Sequence, residues 1–121
     1  MPSLVHLGMG NFHRAHQAWY THVANGVVDN PWRITGVAMR NPGLRDAMAP
    51  GGWKYDLGIM GPEALRVERI AVHDRVLVAA EAPGAVIDAI ADPDVSAITL
   101  TVTEKGYCLS PDGALDLRDP G

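Results

Sequence analysis

Residues 3–14 of the chain read SLVHLGMGNFHR, and this stretch decides the fold. A β-prone run of five residues ends at Gly8-Met9-Gly10, and a helical pattern begins at Phe12. Gly8 permits a tight turn between strand and helix, while Gly10 lacks a Cβ, so that a pyrophosphate can come close to the backbone. The pattern predicts a nucleotide-binding turn. The alternative is a glycine turn that only connects two elements.

The start of this helix offers further groups for an anionic ligand. Free backbone N–H groups and the helix dipole attract phosphates there. Arg14 lies within the first turn, where it can add a charge-assisted hydrogen bond. The usual dinucleotide pattern has a third glycine for close packing of helix and strand. His13 stands at that position, and we expect the helix to pack slightly farther from the strand.

Hydrophobic periodicity and turn residues predict the other elements and the fold class. Strands are predicted at 3–7, 32–39, 72–79 and 96–103, a hairpin at 54–60 and 64–70, and helices at 12–25, 41–49 and 83–91. This order predicts an α/β fold, with a Rossmann-like, doubly wound and mainly parallel sheet that carries a β-hairpin insertion.

The same patterns predict which residues are buried. The helix at 12–25 is expected to bury one face, formed by Ala15, Ala18, Trp19 and Val23. The helix at 83–91 is expected to bury a face formed by Val86, Ile87 and Ile90. The run at 96–103 carries no charge, which is typical of a strand that is buried on both faces in the middle of a parallel sheet.

The composition limits the class of protein. The chain has 121 residues, of which 47% are apolar and 20% charged, and its net charge is −4. These values predict one globular domain and argue against a nucleic-acid binder, which carries a basic surface. No apolar run reaches the ~20 residues of a membrane span, and no signal peptide is visible. The single cysteine, Cys108, fits a reducing compartment, so a cytoplasmic location is expected.

The end of the second predicted strand bears on the choice of cofactor. Dinucleotide sites often place Asp or Glu there to bind the 2′-hydroxyl of the adenosine ribose. This strand ends Ala38-Met39-Arg40-Asn41, without an acid. Arg40 can stack on adenine or meet a 2′-phosphate, which leaves NADP open beside NAD. The alternative is an exposed arginine that contacts no ligand.

The histidines raise the question of a metal site. There are five of them, His6, His13, His16, His22 and His73. A zinc site needs three or four converging ligands, and neither a second cysteine nor an HExxH pattern accompanies these residues. No metal is therefore expected. We expect His13 and His16 to cap or line the glycine turn, or to pack against the sheet.

Three stretches carry a family resemblance. They read GMGNFHRAHQA at 8–18, TGVAMR followed by LRDAM within 35–48, and TLTVTEKGYC at 99–108. They resemble the mannitol dehydrogenase family of polyol-specific long-chain dehydrogenases, which includes fructuronate reductase. The resemblance implies a Rossmann domain over residues 1–121. It also implies a mostly helical catalytic domain outside this chain, with a lysine as general base, so that no catalytic residue is expected within the 121 residues.

The resemblance also implies roles for single residues. The pyrophosphate loop falls on Gly8, Gly10, Asn11, Phe12 and Arg14. Arg40 falls near the adenosine ribose, and Thr103 and Glu104 fall at the strand end closest to the nicotinamide. Glu104 and Lys105 are also a candidate acid–base pair, but adjacent residues of an extended segment point to opposite sides. A solvated turn explains them at least as well, and Lys105 does not correspond to the family's catalytic lysine.

The function that follows is NAD(P)-dependent oxidoreduction at the CH–OH group of a sugar alcohol or sugar acid, of the mannitol or mannonate type. This chain is expected to supply the cofactor-binding part, with NAD as the cofactor, while the polyol or sugar-acid substrate is bound through the catalytic domain. One alternative is a nucleotide-binding module without catalysis. A second alternative is a histidine-based metal hydrolase. Neither nucleic acid nor a membrane is expected as a partner.

Overall fold

The computed structural model of the chain describes residues 2–102 and 108–119. In chain order, its elements are β1 (Ser3–Leu7), α1 (Asn11–Ala15), α2 (Gln17–Asn25), β2 (Arg33–Ala38), α3 (Gly43–Met48), β3 (Tyr55–Met60), β4 (Leu65–Ile70), β5 (His73–Val78), α4 (Pro83–Ala91) and β6 (Val95–Leu100). A 3₁₀ turn, Ala49–Gly51, follows α3 directly. Within the described residues, no helix has the length and apolar character needed to cross a membrane.

Four parallel strands form the main sheet in the order β5-β2-β1-β6. Leu7 at the end of β1 lies opposite Val37 of β2 on one side and Leu100 of β6 on the other. The chain builds the sheet outward from β1 in one direction and then crosses to the opposite side. Such a reversal leaves a crevice at the carboxyl ends of neighbouring strands, where open α/β sheets bind ligands. The predicted α/β class is confirmed.

The predicted hairpin is confirmed as a separate two-stranded sheet. β3 and β4 pair antiparallel from Tyr55 opposite Ile70 to Met60 opposite Leu65. The hairpin packs over the helices that follow β1, since the indole N–H of Trp19 donates to a Glu68 carboxylate oxygen at 3.0 Å. It therefore covers one face of the main sheet beside the glycine turn.

Successive residues of β1 enter the core on opposite faces of the sheet, as the two-residue period of a strand requires. Leu4 packs with Ala18 of α2 and Ile34 of β2. Val5 packs on the other face, where Ala89 of α4 covers it. The strand that carries the glycine turn is thus clamped from both sides, which gives the turn a rigid base.

The helix predicted at 12–25 is interrupted. His16, with φ −119° and ψ −83°, separates α1 from α2. In an unbroken helix, the position one turn after His13 would be buried. The irregular residue shifts the helical phase, so that the second buried position is Ala18. Val23, which the periodicity places in the core, is 49% exposed, because the partly buried positions in the second half of α2 are 21, 22 and 25, on another side of the helix.

β6 is an edge strand. The prediction that the run at 96–103 is buried on both faces is wrong for its described part, because Ile98 and Leu100 are 47% and 59% exposed. Among the described strands, β6 pairs with β1 alone, so its outer side has no neighbour there.

Ile87, which the periodicity of the helix at 83–91 places in the core, is 64% exposed. α4 turns another side towards the sheet, with Val86 and Ala89 buried.

Candidate functional site

The tight turn after β1 needs glycine at its first position. Gly8 has φ +88°, a conformation that residues with a Cβ rarely adopt. The backbone N–H groups of Gly8 and Met9 both donate to the Val37 carbonyl oxygen at 2.9 Å. A Cβ at Gly8 would also lie 3.2 Å from the Thr101 carbonyl oxygen. The prediction that Gly8 makes the tight turn is confirmed.

Gly10 is different, because nothing in the described chain requires glycine there. Its backbone is extended, with φ −142° and ψ −160°, which any residue adopts. A Cβ at this position would meet no atom within 4 Å. The backbone N–H groups of Asn11 and Phe12, which follow it, have no acceptor in the described part of the chain. The surface above Gly10 is open and lined by hydrogen-bond donors.

Arg14 folds back over the turn. Its Nε donates to the Gly10 carbonyl oxygen at 3.3 Å, and its Nη2 donates to the side-chain oxygen of Asn11. From the hairpin, the Tyr55 hydroxyl donates to the Arg14 carbonyl oxygen at 2.6 Å. Burial raises the pKa of that phenol, so it stays protonated and keeps donating. These bonds fix a cation beside the open surface above Gly10.

Two grooves flank the glycine turn at the carboxyl edge of the sheet. The β2 groove has a volume of about 540 Å³ and is lined by Gly8, Met9, Gly10, Arg14, Ala38, Met39, Arg40, Asn41, Gly43 and Leu44. The β6 groove has a volume of about 620 Å³ and is lined by His6, Phe12, His13, Gln17, Thr99, Leu100, Thr101 and Val102. One elongated ligand can therefore cross the turn and reach both grooves.

Arg40 is an exposed cation on the wall of the β2 groove. Within the described residues it has no ion-pair or hydrogen-bond partner. Arg45 nearby is engaged instead, with the carboxylates of Glu81 and Asp46. Of these two arginines, Arg40 alone is available to a ligand in the groove.

Phe12 is an exposed aromatic ring on the wall of the β6 groove. It is 65% exposed and stacks on the His16 ring with centroids 4.3 Å apart. His16 Nδ1–H donates to the Phe12 carbonyl oxygen at 2.8 Å, which holds the two rings together. The interruption of the helix at His16 thus fixes a flat aromatic surface next to the glycine turn.

Three buried histidines lie directly behind the turn, and the sequence does not predict this cluster. The rings of His6 and His13 stack with centroids 4.0 Å apart, and His13 Nε2 lies 3.0 Å from His73 Nε2. His13 thus packs against the sheet at the position of the missing third glycine, as one of the predictions for it states. Two of the three histidines have local sequence signals, since His6 lies on a predicted strand and His13 lies at a position of the glycine motif. No sequence signal connects them with His73, which is 60 residues away from His13.

The three rings are neutral at pH 7. Burial, and then the neighbouring His6 ring, lower the pKa of His13 to about 4. Burial, and then the neighbouring His13 ring, lower the pKa of His73 to about 3, and burial also lowers the pKa of His6. Among the described residues, no group of three His, Cys, Asp or Glu side chains is placed to hold a metal ion.

Two of the predicted cofactor-binding residues, Thr103 and Glu104, lie outside the described residues, as does Lys105. The described residues nearest to them on the N-terminal side, Thr101 and Val102, line the β6 groove. The other predicted residues, which are Gly8, Gly10, Asn11, Phe12, Arg14 and Arg40, all lie at the turn or on the walls of the two grooves.

Comparison with known proteins gives a consistent result. The family model described as the mannitol dehydrogenase Rossmann domain matches residues 2–118. A D-arabinitol 4-dehydrogenase of Klebsiella pneumoniae is 38% identical over 96% of this chain and 26% of its own length. A D-mannonate oxidoreductase of Escherichia coli K12 is 35% identical over 97% of this chain and 25% of its own length.

A solved structure is similar over almost the whole chain. It is the Pseudomonas fluorescens mannitol 2-dehydrogenase in a ternary complex with NAD and D-mannitol. The TM-score is 0.80 at 34% sequence identity, over 94% of this chain and 24% of the other. The chain therefore spans about a quarter of the length of the proteins that it matches.

Proposed function

The chain belongs to the mannitol dehydrogenase family, and from this we propose that it is the dinucleotide-binding part of an oxidoreductase that acts on the CH–OH group of a sugar alcohol or sugar acid. The proposed cofactor is NAD, whose nicotinamide exchanges a hydride with the carbinol carbon. The observation that carries the proposal is the glycine turn at the point where the strand order reverses, with a groove on either side.

Gly10 gives the most direct support for a dinucleotide at this turn. Since neither its backbone conformation nor its described neighbours require glycine, the absence of a side chain leaves room for a ligand. A pyrophosphate that lies against the backbone is such a ligand. The donors of Asn11 and Phe12 would bind its oxygens, and the Arg14 cation, held at the turn, would offset its charge.

The two grooves suggest how the rest of the cofactor lies. We assign the adenosine half to the β2 groove, with its ribose near Arg40. We assign the nicotinamide half to the β6 groove, beside the strand end that leads to Thr103 and Glu104. The orientation follows from the position of Arg40 just after the end of β2, where dinucleotide-binding folds bind the adenosine ribose.

The substrate class is a proposal from the relatives. Those named above act on D-arabinitol, D-mannonate or mannitol according to their names. All three compounds carry secondary CH–OH groups, which is the chemistry that a nicotinamide cofactor oxidises. We propose that substrate is bound by a catalytic domain outside residues 1–121. The family resemblance assigns no role in polyol recognition to any residue of the glycine turn or its grooves.

We expect the 121 residues alone to bind NADH without turning over a polyol. General base catalysis contributes roughly 10²–10⁴-fold, and we place the base outside these residues. Binding is measured by the change in NADH fluorescence, and turnover by NADH formation from NAD with mannitol, arabinitol or mannonate. An unchanged NADH signal at millimolar protein would refute the cofactor site. Steady NADH formation would instead place the base in this chain and restore Glu104 and Lys105 as candidates.

We expect Arg40→Asp to weaken NADPH binding roughly tenfold and NADH binding much less. A carboxylate repels the 2′-phosphate of NADPH but accepts a hydrogen bond from the 2′-hydroxyl of NADH. The measurement is a pair of fluorescence titrations with the two reduced cofactors. Arg66→Asp is the matched control, because Arg66 is a largely exposed arginine of the hairpin. Equal effects of Arg40→Asp on both cofactors would show that Arg40 does not contact the ribose.

A further inference from the structure

A continuous series of hydrogen bonds runs behind the glycine turn from β5 to β6. We call it the polar relay, and its members in order are His73, His13, Gln17, Thr99, His6 and Thr101. The three histidines are at least 97% buried. The heavy-atom distances along the series are 3.0, 2.9, 3.2, 2.7 and 2.9 Å, so every link is a hydrogen bond of normal length.

Gln17 sets the direction of the protons in the first half of the relay. Its Oε1 lies 2.9 Å from His13 Nδ1, and an amide oxygen only accepts. His13 therefore carries its proton on Nδ1, and its Nε2 is a bare acceptor in the neutral ring. The partner of that Nε2, at 3.0 Å, is His73 Nε2, which must be the donor.

The second half of the relay follows in the same direction. Gln17 Nε2 donates to Thr99 Oγ1 at 3.2 Å. The Thr99 hydroxyl donates to His6 Nδ1 at 2.7 Å, a much closer acceptor than Gln17 Oε1 at 3.3 Å. His6 then carries its proton on Nε2 and donates to Thr101 Oγ1 at 2.9 Å. The hydroxyl proton of Thr101 has no acceptor among the described residues, and Thr101 lines the β6 groove.

One orphaned atom supports this assignment. His73 Nδ1 is buried and has no hydrogen-bond partner. In the deduced tautomer this atom is a bare lone pair. The opposite tautomer would bury an unpaired N–H, whose loss of hydration costs free energy. It would also place two bare lone pairs opposite each other between His73 and His13.

Burial is the main reason that the His73 ring stays neutral, and five groups surround the ring. They are His6 on β1, His13 and Arg14 on α1, Arg33 on β2 and, with its ring centroid 5.9 Å away, Tyr55 on β3. None of them is an anion. The neighbouring Asp74 carboxylate is paired with Arg33 at 2.7 Å.

We propose that His73 is a positioning residue for the nucleotide turn, acting through the single proton that it donates to His13. His73 lines neither groove. His6 lies just before Gly8 and His13 lies just after Gly10. The relay therefore contacts the chain at both ends of the turn. Without the donor at position 73, the buried Nε2 of His13 is unpaired, and only the Gln17 hydrogen bond and the stacked His6 ring still hold the His13 ring. The proposal rests on the NAD site proposed above.

The tautomers give the first test, which needs no nucleotide. We expect long-range ¹⁵N–¹H spectra of the labelled chain at pH 7.5 to show His13 protonated on Nδ1 only, and His6 and His73 on Nε2 only. A coupling across the N–H···N hydrogen bond is expected between His73 Nε2 and His13 Nε2. A different tautomer at any of these three residues, or a charged ring, overturns the relay whatever the chain binds.

The second test is the NADH affinity of variants at position 73. If His73 only stabilised the fold, this affinity would not depend on whether the new side chain can donate a hydrogen bond. We expect His73→Phe, which removes the donor, to weaken binding roughly tenfold. His73→Gln, whose side-chain amide can donate, is expected to restore most of the affinity. The smaller His73→Leu replaces His73→Phe if the latter does not fold by circular dichroism.

A histidine outside the relay gives the matched control. His22 Nδ1 accepts a hydrogen bond from the Ala71 backbone N–H at 3.3 Å. His22→Leu therefore costs a hydrogen bond just before β5 without touching the relay, and NADH affinity is expected to stay unchanged. Equal losses in His22→Leu and His73→Phe, or none in His73→Phe, overturn the positioning role alone. A wild-type chain that does not bind NADH overturns the proposed function as well.

Discussion

Gly10→Val is expected to abolish NADH binding, by about 100-fold or more, while leaving the fold intact. The extended backbone of Gly10 accepts valine without strain, and its Cβ would enter empty space. The branched side chain would occupy the volume that we assign to the pyrophosphate. NADH fluorescence titration measures the loss, and urea unfolding, compared with the wild type, measures the stability.

Gly84→Val is the matched control for this variant. Gly84 lies near the start of α4, and a Cβ there would also meet no atom within 4 Å. The same substitution at an equally open glycine, far along the chain from the turn, is expected to leave NADH affinity unchanged. Retained affinity in Gly10→Val would remove the turn from the binding site, since no described residue comes within 4 Å of the added Cβ.

The elements that the sequence predicts well are those with local signals. A glycine pair between a β-prone run and a helical run identified the turn, and Gly61-Pro62 between two short runs identified the hairpin. In each case, neighbouring residues set the backbone conformation directly. The open surface at Gly10 was predictable for the same reason, because a missing Cβ is a property of the residue itself.

The errors concern properties that depend on distant parts of the chain. An uncharged run such as 96–103 has the same composition in the centre of a sheet and at its edge, so the exposure of Ile98 could not be inferred from it. The interruption at His16 escaped prediction because periodicity assumes one unbroken helical phase. The partnership of His13 with His73 depends on β5 lying beside β2, which no local pattern encodes.

The histidine cluster leads to the second large effect, a loss of stability in mild acid. In the unfolded chain the pKa of a histidine is near 6.5, whereas in the folded chain the pKa of His13 is about 4 and that of His73 about 3. Since burial disfavours the charged ring, the unfolded chain binds protons first. The stability is therefore complete above pH 6.5 and falls as the pH drops below that value. At pH 5 the loss is about 2 kcal/mol for each ring, or about 4 kcal/mol for both.

Urea unfolding at pH 7.5, 6.0 and 5.0 measures this loss, and the variant His73→Phe identifies its source. Removing the His73 ring is expected to reduce the loss between pH 7.5 and 5.0 by about 2 kcal/mol. The exposed carboxyls of Asp56 and Asp112, whose pKa values are lowered by hydrogen bonds, titrate below this range and do not contribute to it. Domains of this size are stable by only about 5–15 kcal/mol, so a loss of about 4 kcal/mol removes a large part of the stability of the wild-type chain at pH 5. A free energy of unfolding that stays constant from pH 7.5 to 5.0 would mean that these rings take up protons in the folded chain, and would contradict their burial as neutral groups.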